Sequence, residues 1–391
     1  MTGWSIALGM LCAVWLAQAA LVFVHLAELR TLADLHPDAP PAWPRVSAIV
    51  PSRNQADELL HALGTRLAED YPDLEVVVVD DRSSDATASV LATMAAQDVR
   101  LRPIRIEDLP ARWLGKVHAL ARGADAATGE WLLVSDADIE IAPGTLRRAV
   151  AVCVADGLDF LTLVPEFRSR SGVVDVLLAV FTRAFSTFVS PAAVRNPHSA
   201  AAAGSGAFML LRRSAYARTP GFEWLRMETT DDMALGLMMK QSGARCELMN
   251  GRGSARVSIY DSLGEFHRGV EKNAGSLIGV PFAVTALLIA LAACVELSPI
   301  VAIAFGVGAG VPWLVACGVG AAALATACTV AASTRNTGRV MPALAWPAGW
   351  LLVASGILRA AWLARRRGGV VWRDTFYPRA DLLEGRRLKL L

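Results

Sequence analysis

The sequence lacks the signatures of several large classes of protein. Its six cysteines include no C-x-x-C pair, which argues against a zinc site and against a disulfide framework. The first predicted strand ends in Pro51-Ser-Arg-Asn54 instead of G-x-G-x-x-G, and G-x-x-x-x-G-K-[ST] occurs nowhere. A dinucleotide-binding fold and a P-loop nucleotidase therefore lose their main signature. The formal net charge of +2 gives no indication of nucleic-acid binding.

Charged residues are scarce as well, at 19% of the chain against 54% hydrophobic residues. Four uncharged stretches are long enough to cross a bilayer, which takes about 20 apolar residues. They run over 6–24, 274–295, 297–334 and 340–358. We interpret the first as an uncleaved anchor instead of a signal peptide, because no small-residue cleavage site follows it before Glu28. Glycines and Pro312 inside the third indicate one span with a broken or re-entrant piece.

These runs divide the chain into five predicted segments. They are a transmembrane anchor (1–28), a linker (29–44), a globular domain (45–273), a C-terminal transmembrane region (274–364) and a basic tail (365–391). Basic clusters near membrane segments usually remain in the cytosol, and one such cluster is Arg365-Arg-Arg367. The tail and the globular domain are therefore predicted to be cytosolic parts of an integral membrane protein.

The predicted globular domain has the alternating pattern of an α/β fold. Strands are predicted at 46–50, 74–79, 102–106 and 131–134, and helices at 55–68, 84–96 and 116–127. Such alternation predicts a doubly wound, mostly parallel sheet, whose ligands bind beyond the carboxyl ends of the strands. Farther along, the segment 172–191 carries Asp175, Thr182, Arg183 and Ser186 on one helical face. It is either a core helix or a helix that lies on the bilayer surface.

Two of the predicted strands end on pairs of acidic residues. Asp80 and Asp81 follow the strand 74–79, and Asp136 and Asp138 follow the strand 131–134. A turn just past a strand can bring two carboxylates that are two positions apart to the same side. Asp136 and Asp138 therefore suit a divalent cation, Mg²⁺ or Mn²⁺, that holds a diphosphate.

Other polar residues at strand ends and helix starts have both a structural and a chemical interpretation. Arg53 and Asn54 form a polar turn or meet a base or phosphate at the sheet edge. Lys116 is a solvated lysine or a cation at a helix start, where anions are favoured. Asp231 and Asp232 precede an apolar helical run, so they either cap it or supply a general base to an acceptor hydroxyl.

The order of these motifs resembles the family 2 glycosyltransferases of the GT-A fold over about residues 45–273. The motifs are Pro51-x-x-Asn54, Val78-Val-Asp-Asp-x-Ser-x-Asp-x-Thr87, Ser135-Asp-Ala-Asp138 and Thr229-Thr-Asp-Asp232. Trp113-Leu-Gly-Lys116, the stretch 200–213 and the membrane segments are similar to the membrane-bound branch with the hopanoid-associated glycosyltransferases and the ceramide glucosyltransferases.

The resemblance implies a role for each motif. Asp81 would bind the nucleotide base, Asp138 with Asp136 the metal and diphosphate, and Asp232, beside Asp231, would be the catalytic base. The residues assigned to the nucleotide sugar are Pro51, Arg53, Asn54, Asp80, Asp81, Lys116, Asp136, Gly204, Ser205, Gly206, Arg268 and Lys272.

The chain departs from the family in two motifs. The family's usual Glu-Asp pair is Asp231-Asp232 here, a mild departure, and Gln/Arg-x-x-Arg-Trp is missing, a larger one. Arg268 and Lys272 lie near its expected place and, four positions apart, share a helical face. They either clamp phosphates or contact lipid headgroups. The absence of the motif weakens an interpretation as a processive polysaccharide synthase.

The expected activity is a single inverting displacement that moves a sugar from a nucleotide sugar, with a UDP-sugar as the expected donor, to a hydroxyl of a membrane lipid. The expected setting is a bacterial inner membrane with the catalytic domain in the cytoplasm. The alternatives are transfer to a polyprenyl phosphate, a polysaccharide synthase, and a nucleotide-binding membrane scaffold or transport protein.

Overall fold

The computed structural model describes residues 3–272 and 278–388 and divides into two compact units. The sheet unit comprises Leu29–Arg168, Pro191–Ile259 and Gly368–Leu391, and the helical unit comprises Met1–Glu28, Ser169–Ser190 and Tyr260–Arg367. Each unit is thus built from three separated stretches instead of one continuous segment. The predicted boundary at residue 273 and the first residues of the stretch 274–295 lie outside the described residues.

The strands all belong to the sheet unit. In chain order they are β1 (Val46–Ser52), β2 (Leu74–Asp81), β3 (Leu101–Ile106), β4 (Trp131–Val134), β5 (Glu140–Ile141), β6 (Phe160–Val164), β7 (Glu166–Arg168), β8 (Met209–Arg212), β9 (Cys246–Asn250), β10 (Ala255–Ser258), β11 (Gly369–Trp372) and β12 (Thr375–Pro378).

The helices are distributed over both units. In chain order they are α1 (Gly3–Glu28), α2 (Ala56–Leu67), α3 (Thr87–Gln97), α4 (Gly115–Ala126), α5 (Thr145–Ala155), α6 (Gly172–Phe188), α7 (Pro191–Arg195), α8 (Arg213–Tyr216), α9 (Asp231–Gln241), α10 (Leu263–Glu271), α11 (Phe282–Ala309), α12 (Pro312–Asn336), α13 (Trp346–Arg367) and α14 (Arg379–Gly385). Short 3₁₀ turns lie at Leu32–Asp34, Phe222–Leu225 and Met341–Ala345.

The central sheet confirms the α/β prediction. In the described residues it has seven strands in the order β3-β2-β1-β4-β8-β6-β9, and only β8 runs antiparallel to its neighbours β4 and β6. The valines of β2, Val76 to Val79, are all fully buried, as expected of a strand in a sheet covered on both faces. This arrangement brings the ends of β1, β2 and β4 to one edge of the sheet.

The predicted end of the first strand at residue 50 is wrong, because β1 continues through Pro51 to Ser52. The carbonyl of Ile49 accepts from the amide of Ser135, so this face of β1 is turned towards β4. Pro51 lies two positions farther and has the same orientation. β4 has already ended at Val134. The proline, which has no N–H, therefore does not interrupt the hydrogen bonds between β1 and β4.

The helical unit contains the apolar helices. Among the described residues, three are long and apolar enough to cross a membrane: Phe282–Ala309, Pro312–Asn336 and Met341–Arg367. Within α1, the apolar helical segment Cys12–Glu28 is shorter than these three. The function of α1 as a membrane anchor therefore stays a prediction. α11 ends where Gly310 takes a left-handed conformation, and Pro312 starts α12. The break expected in 297–334 is therefore a complete helix–helix turn.

Helix α6 packs in the helical unit with both apolar and polar side chains buried. Thr182, Arg183 and Ser186 are buried, whereas Phe181 and Phe188 are exposed. Arg183 forms an ion pair with Glu296 of α11 and lies over the rings of Trp15 and Trp346. The large exposed side chains of Phe181 and Phe188 suit contact with lipid.

We expect Glu296→Ala to destabilise the helical unit strongly. The change leaves the guanidinium of Arg183, which is 1% exposed, unpaired among apolar helices, and removing one partner of a buried pair costs about 3–5 kcal/mol. Thermal unfolding in detergent checks this against Val301→Ala, a change at an exposed position of the same helix. Equal melting temperatures for the two variants would show that the pair contributes nothing.

Candidate active site

Lys116 joins two of the predicted site carboxylates. It lies in the first turn of α4, and its Nζ is 2.8 Å from Oδ1 of Asp136 and 3.0 Å from Oδ2 of Asp231. Burial by itself would lower the pKa of Lys116, but the charges of Asp136, Asp231 and Asp232 raise it above its usual range. The lysine is therefore a permanent cation that holds the end of β4 against the start of α9.

Gly206 connects the two ends of this cluster through its backbone. Its amide donates to Oδ2 of Asp232 at 3.0 Å, and its carbonyl accepts from the amide of Asp136 at 2.7 Å. The other oxygen of Asp232 accepts from the amide of Met233 at 2.8 Å. These two bonds fix the position of the Asp232 carboxylate, although the residue is only half-buried.

The predicted glycine turn packs directly against the start of α9. A Cβ at Gly204 would lie 1.8 Å from the carbonyl oxygen of Asp232, and one at Gly206 would lie 2.5 Å from the carboxylate of Asp136. Between them, the amide of Ser205 donates to Oγ1 of Thr162 at 3.0 Å. Because Gly204 and Gly206 have no Cβ, their backbone can lie directly against Asp232 and Asp136. The geometry of the cluster depends on this close contact.

We expect Gly204→Ala to impair both stability and function. The new methyl group would push the backbone of Asp232 aside, and overpacking of this kind costs about 1–3 kcal/mol. A displacement of about 1 Å at a reacting group can lower a rate by about 10²-fold. The control is Gly64→Ala in α2, where a Cβ meets nothing and alanine favours the helix. Similar melting temperatures and activities for the two variants would contradict the close contact.

Asp136 and Asp138 fit a divalent cation by their chemistry. Burial and the charge of Asp136 raise the pKa of the Asp138 carboxyl, whereas Arg373 and Arg66 oppose this rise. A cation between the carboxylates would relieve their repulsion. The described residues contain no cluster of three or more His, Cys, Asp or Glu that could hold a metal. Two carboxylates together with substrate phosphates match the way in which Mg²⁺ is usually bound.

Arg66 supports the turn that follows β4 and contains Asp136, and it was not predicted from the sequence as a site residue. It is fully buried in α2, donates to Oγ of Ser135 at 2.9 Å and bonds the carbonyl of Asp136. Burial lowers its pKa to about 10, against the opposing charges of Asp138 and Asp136. Its only sequence signal is its place on the apolar face of a helix.

Asp80 and Asp81 have different environments although they are adjacent. Asp80 is buried, lies 2.7 Å from Nη1 of Arg105 and accepts from the amide of Ser83 at 3.1 Å, so it holds the strand end together. Asp81 is bonded to Nε of Arg82 at 2.8 Å and lies 3.8 Å from Nη1 of Arg53. A Cβ at Gly115 would lie 2.2 Å from the Asp81 carboxylate. Asp81 therefore faces the start of α4, beside Lys116.

The residues after β1 contribute mainly through the turn that they form. Asn54 has a left-handed backbone, its amide donates to Oγ of Ser83 at 2.9 Å, and its Oδ1 accepts from the amide of Ser84 at 2.8 Å. These bonds tie the turn after β1 to the turn after β2, which is why α3 starts at Thr87 and not at residue 84. Arg53 is brought close to Asp81, whereas Pro51 is a buried strand residue.

Arg268 and Lys272 belong to the helical unit, Arg268 within α10 and Lys272 at its end, and their role at the diphosphate stays a prediction. The sheet unit also contains contacts that the motifs did not indicate. Glu228, which is buried, accepts from the backbone amides of Arg387 and Leu388 at 2.6 and 3.2 Å, so the tail fixes the segment just before Asp231.

Comparison with known proteins identifies the domain. Residues 47–219 match the family described as Glycosyl transferase family 2. The succinoglycan biosynthesis protein ExoO of Rhizobium meliloti (strain 1021) is 35% identical over 136 residues, which make up 33% of this chain and 37% of that protein. The GalNAc(5)-diNAcBac-PP-undecaprenol beta-1,3-glucosyltransferase of Campylobacter jejuni is 33% identical over 103 residues, 26% of this chain and 32% of that protein. The chain spans about a third of the length of these curated relatives.

A solved structure shows the same fold over a larger part of the chain. The mannosyltransferase PcManGT from Pyrobaculum calidifontis, in complex with GDP-Man and Mn2+, has a TM-score of 0.53 at 20% identity. The likeness covers 92% of this chain and 99% of that protein. The chain therefore contains a glycosyltransferase family 2 domain built on a GT-A-like, mostly parallel α/β sheet.

Proposed function

We propose that the chain is an inverting glycosyltransferase that moves a sugar from a nucleotide sugar, preferably a UDP-sugar, to a hydroxyl of a membrane lipid. The observation that carries the proposal is the backbone link through Gly206 between Asp136 and Asp232. It holds a carboxylate suited to the donor diphosphate and a carboxylate suited to the acceptor at a fixed mutual position. Fixed positioning of donor and acceptor groups is what a displacement between two bound substrates requires.

In this mechanism Asp232 accepts the proton of the acceptor hydroxyl as its oxygen attacks the anomeric carbon. Its two hydrogen bonds from the Gly206 and Met233 amides keep one orientation of the carboxylate. Attack from the side opposite the leaving group inverts the anomeric configuration. Asp231 takes no proton in this scheme, because it is buried and bonded to Lys116.

The donor would be held along the ends of β2 and β4. The carboxylate of Asp81 can accept from the N–H of a uracil or guanine base, and Arg53 lies beside it. Lys116 keeps Asp136 in place and adds a positive charge at the start of α4. Asp138 and Asp136 would hold Mg²⁺ or Mn²⁺, which supplies positive charge against the leaving nucleoside diphosphate.

The helical unit supports a lipid as the acceptor. Three of its helices are apolar and long enough to span a bilayer, and α6 exposes Phe181 and Phe188. Both Ile259 and Gly368 belong to the sheet unit, so the chain leaves that unit and returns to it. We therefore propose an even number of complete membrane crossings between them, so that one of the three apolar helices does not cross the bilayer completely. The sheet unit would lie in the cytoplasm of a bacterial cell and the helices in its inner membrane.

The test uses membranes that contain the full chain and a panel of radiolabelled UDP-, GDP- and dTDP-sugars. Label is counted in the organic extract, with EDTA and with EDTA followed by excess Mg²⁺ or Mn²⁺. We expect one donor to label the lipid fraction, EDTA to abolish the labelling and the metal to restore it. Labelling that EDTA does not change would contradict the proposed metal dependence. Label confined to the aqueous phase would contradict the proposed lipid acceptor.

A further inference from the structure

We propose that the C-terminal hairpin β11–β12 is part of the donor site and that Arg373 at its tip binds the diphosphate of the nucleotide sugar. The inference rests on the proposed function and extends it to a segment that follows the last apolar helix. This segment, residues 368–388, belongs to the sheet unit, although it is separated from the other residues of the site by more than 100 positions in sequence.

The hairpin is fixed to two sides of the site. At its base, the hydroxyl of Tyr377 accepts from the amide of Gly115 at 3.2 Å, which is the first residue of α4. At its tip, Nη1 of Arg373 donates to the carbonyl of Arg53 at 2.9 Å and to Oε1 of Gln55 at 3.0 Å. The strand ends that present Asp81 and the residues after β1 are therefore bridged by this hairpin.

The turn of the hairpin has an unusual composition for its geometry. Arg373 and Asp374 both have positive φ angles, 45° and 62°, which are the conformations of a two-residue hairpin turn that normally contains asparagine or glycine. Side chains with a Cβ adopt them at a cost. An arginine in such a position, next to Arg53 at the turn after β1, is consistent with a function for its side chain.

The charge balance of the site shows why Arg373 differs from the other cations. Most of the basic side chains at the site already form ion pairs with carboxylates: Lys116 with Asp136 and Asp231, Arg105 with Asp80, and Arg53 and Arg82, which share Asp81. Arg66 is buried beneath the turn of Asp136.

Arg373 bonds only neutral oxygens, and no carboxylate of the described residues forms an ion pair with it. Its side chain is exposed, and its bonds place it at the turn after β1, next to Arg53, whose own guanidinium lies 3.8 Å from Asp81. It is therefore a cation at the edge of the predicted donor site whose charge is left for an anionic ligand. The planar guanidinium can bind two phosphate oxygens at once, which a lysine cannot.

The test measures the affinity of the full chain in detergent for UDP, GDP and dTDP and, in parallel, for the corresponding nucleosides. The variant is Arg373→Gly, because glycine adopts φ of 45° without strain and so preserves the turn. We expect the dissociation constant for the preferred nucleoside diphosphate to rise about 10- to 100-fold, as for the loss of a charged hydrogen-bonding group. The affinity for the nucleoside and the melting temperature should not fall. Arg373→Lys should recover only part of the loss.

The control is Arg218→Ala, which removes an exposed arginine that bonds only the carbonyl of Ser214. Wild-type affinity for the diphosphate in Arg373→Gly would overturn the inference and leave the proposed function intact. Equal losses for diphosphate and nucleoside would also overturn it, because the hairpin would then act on the base or on folding. If the wild-type chain binds none of UDP, GDP and dTDP, the proposed function itself fails.

Discussion

Replacing Asp232 by asparagine is expected to lower the rate of sugar transfer by about 10²- to 10⁴-fold, the usual contribution of a general base. Asparagine has nearly the same shape, but its single Oδ1 can accept from only one of the amides of Gly206 and Met233, because its Nδ2 is a donor. It cannot take up the proton of an acceptor hydroxyl at neutral pH. The loss should therefore appear in the rate at saturating donor, while donor affinity changes little.

The measurement is the initial rate of lipid labelling, together with the dissociation constant of the donor for the same preparation. Asp57→Asn is the matched control. Asp57 lies in the first turn of α2, as Asp232 lies in the first turn of α9, but it is exposed and outside the predicted site. A rate within a factor of about three of wild type in Asp232→Asn would refute a proton-accepting role, since it lies far below the effect of a general base.

Replacing Lys116 by methionine is expected to cause the second large effect, because it leaves two carboxylates without their cation. Asp231 has a side chain that is only 4% exposed and would lose its ion pair with Lys116, and Asp136 would lose its own. Removing one partner of a buried ion pair costs about 3–5 kcal/mol. The melting temperature in detergent should therefore fall, and transfer should be lost with it.

A second substitution separates this explanation from a simple packing defect. In Lys116→Met/Asp231→Asn the buried negative charge is removed together with the positive one, so part of the stability should return. The coupling between the two changes, measured as a double-mutant cycle, is expected to be well above 0.5 kcal/mol, as for residues in contact. Additive losses would show that the two side chains do not interact.

The sequence predicted the sheet well and the carboxyl ends of its first four strands to within two residues, because both follow from local patterns. Alternating strand and helix periods located β1 to β4, and each strand end placed its acids at the ligand edge. The pair at β2 shows the limit of this reasoning. Successive strand residues point to opposite faces, so only one of Asp80 and Asp81 can face the site. Packing decides which, and Arg105 engages Asp80.

Contacts between distant segments account for most of what could not be predicted. Arg66 supports Asp136 from 70 positions away, and Tyr377 reaches Gly115 across 262 positions. No spacing rule connects such residues. Helix α6 presented a different difficulty, because its pattern fits either a core or a surface helix. Its orientation depends on Glu296 of α11, which pairs with Arg183.

The most direct test of the account is the chemical structure of the product. Lipid glycosylated by the full chain is purified, and NMR determines the atom to which the sugar is attached and the configuration of the anomeric carbon. The account predicts a glycosidic bond to a lipid hydroxyl with the configuration opposite to that of the donor. Retained configuration would contradict the single displacement with Asp232 as base, and a sugar attached through phosphate would contradict the hydroxyl acceptor.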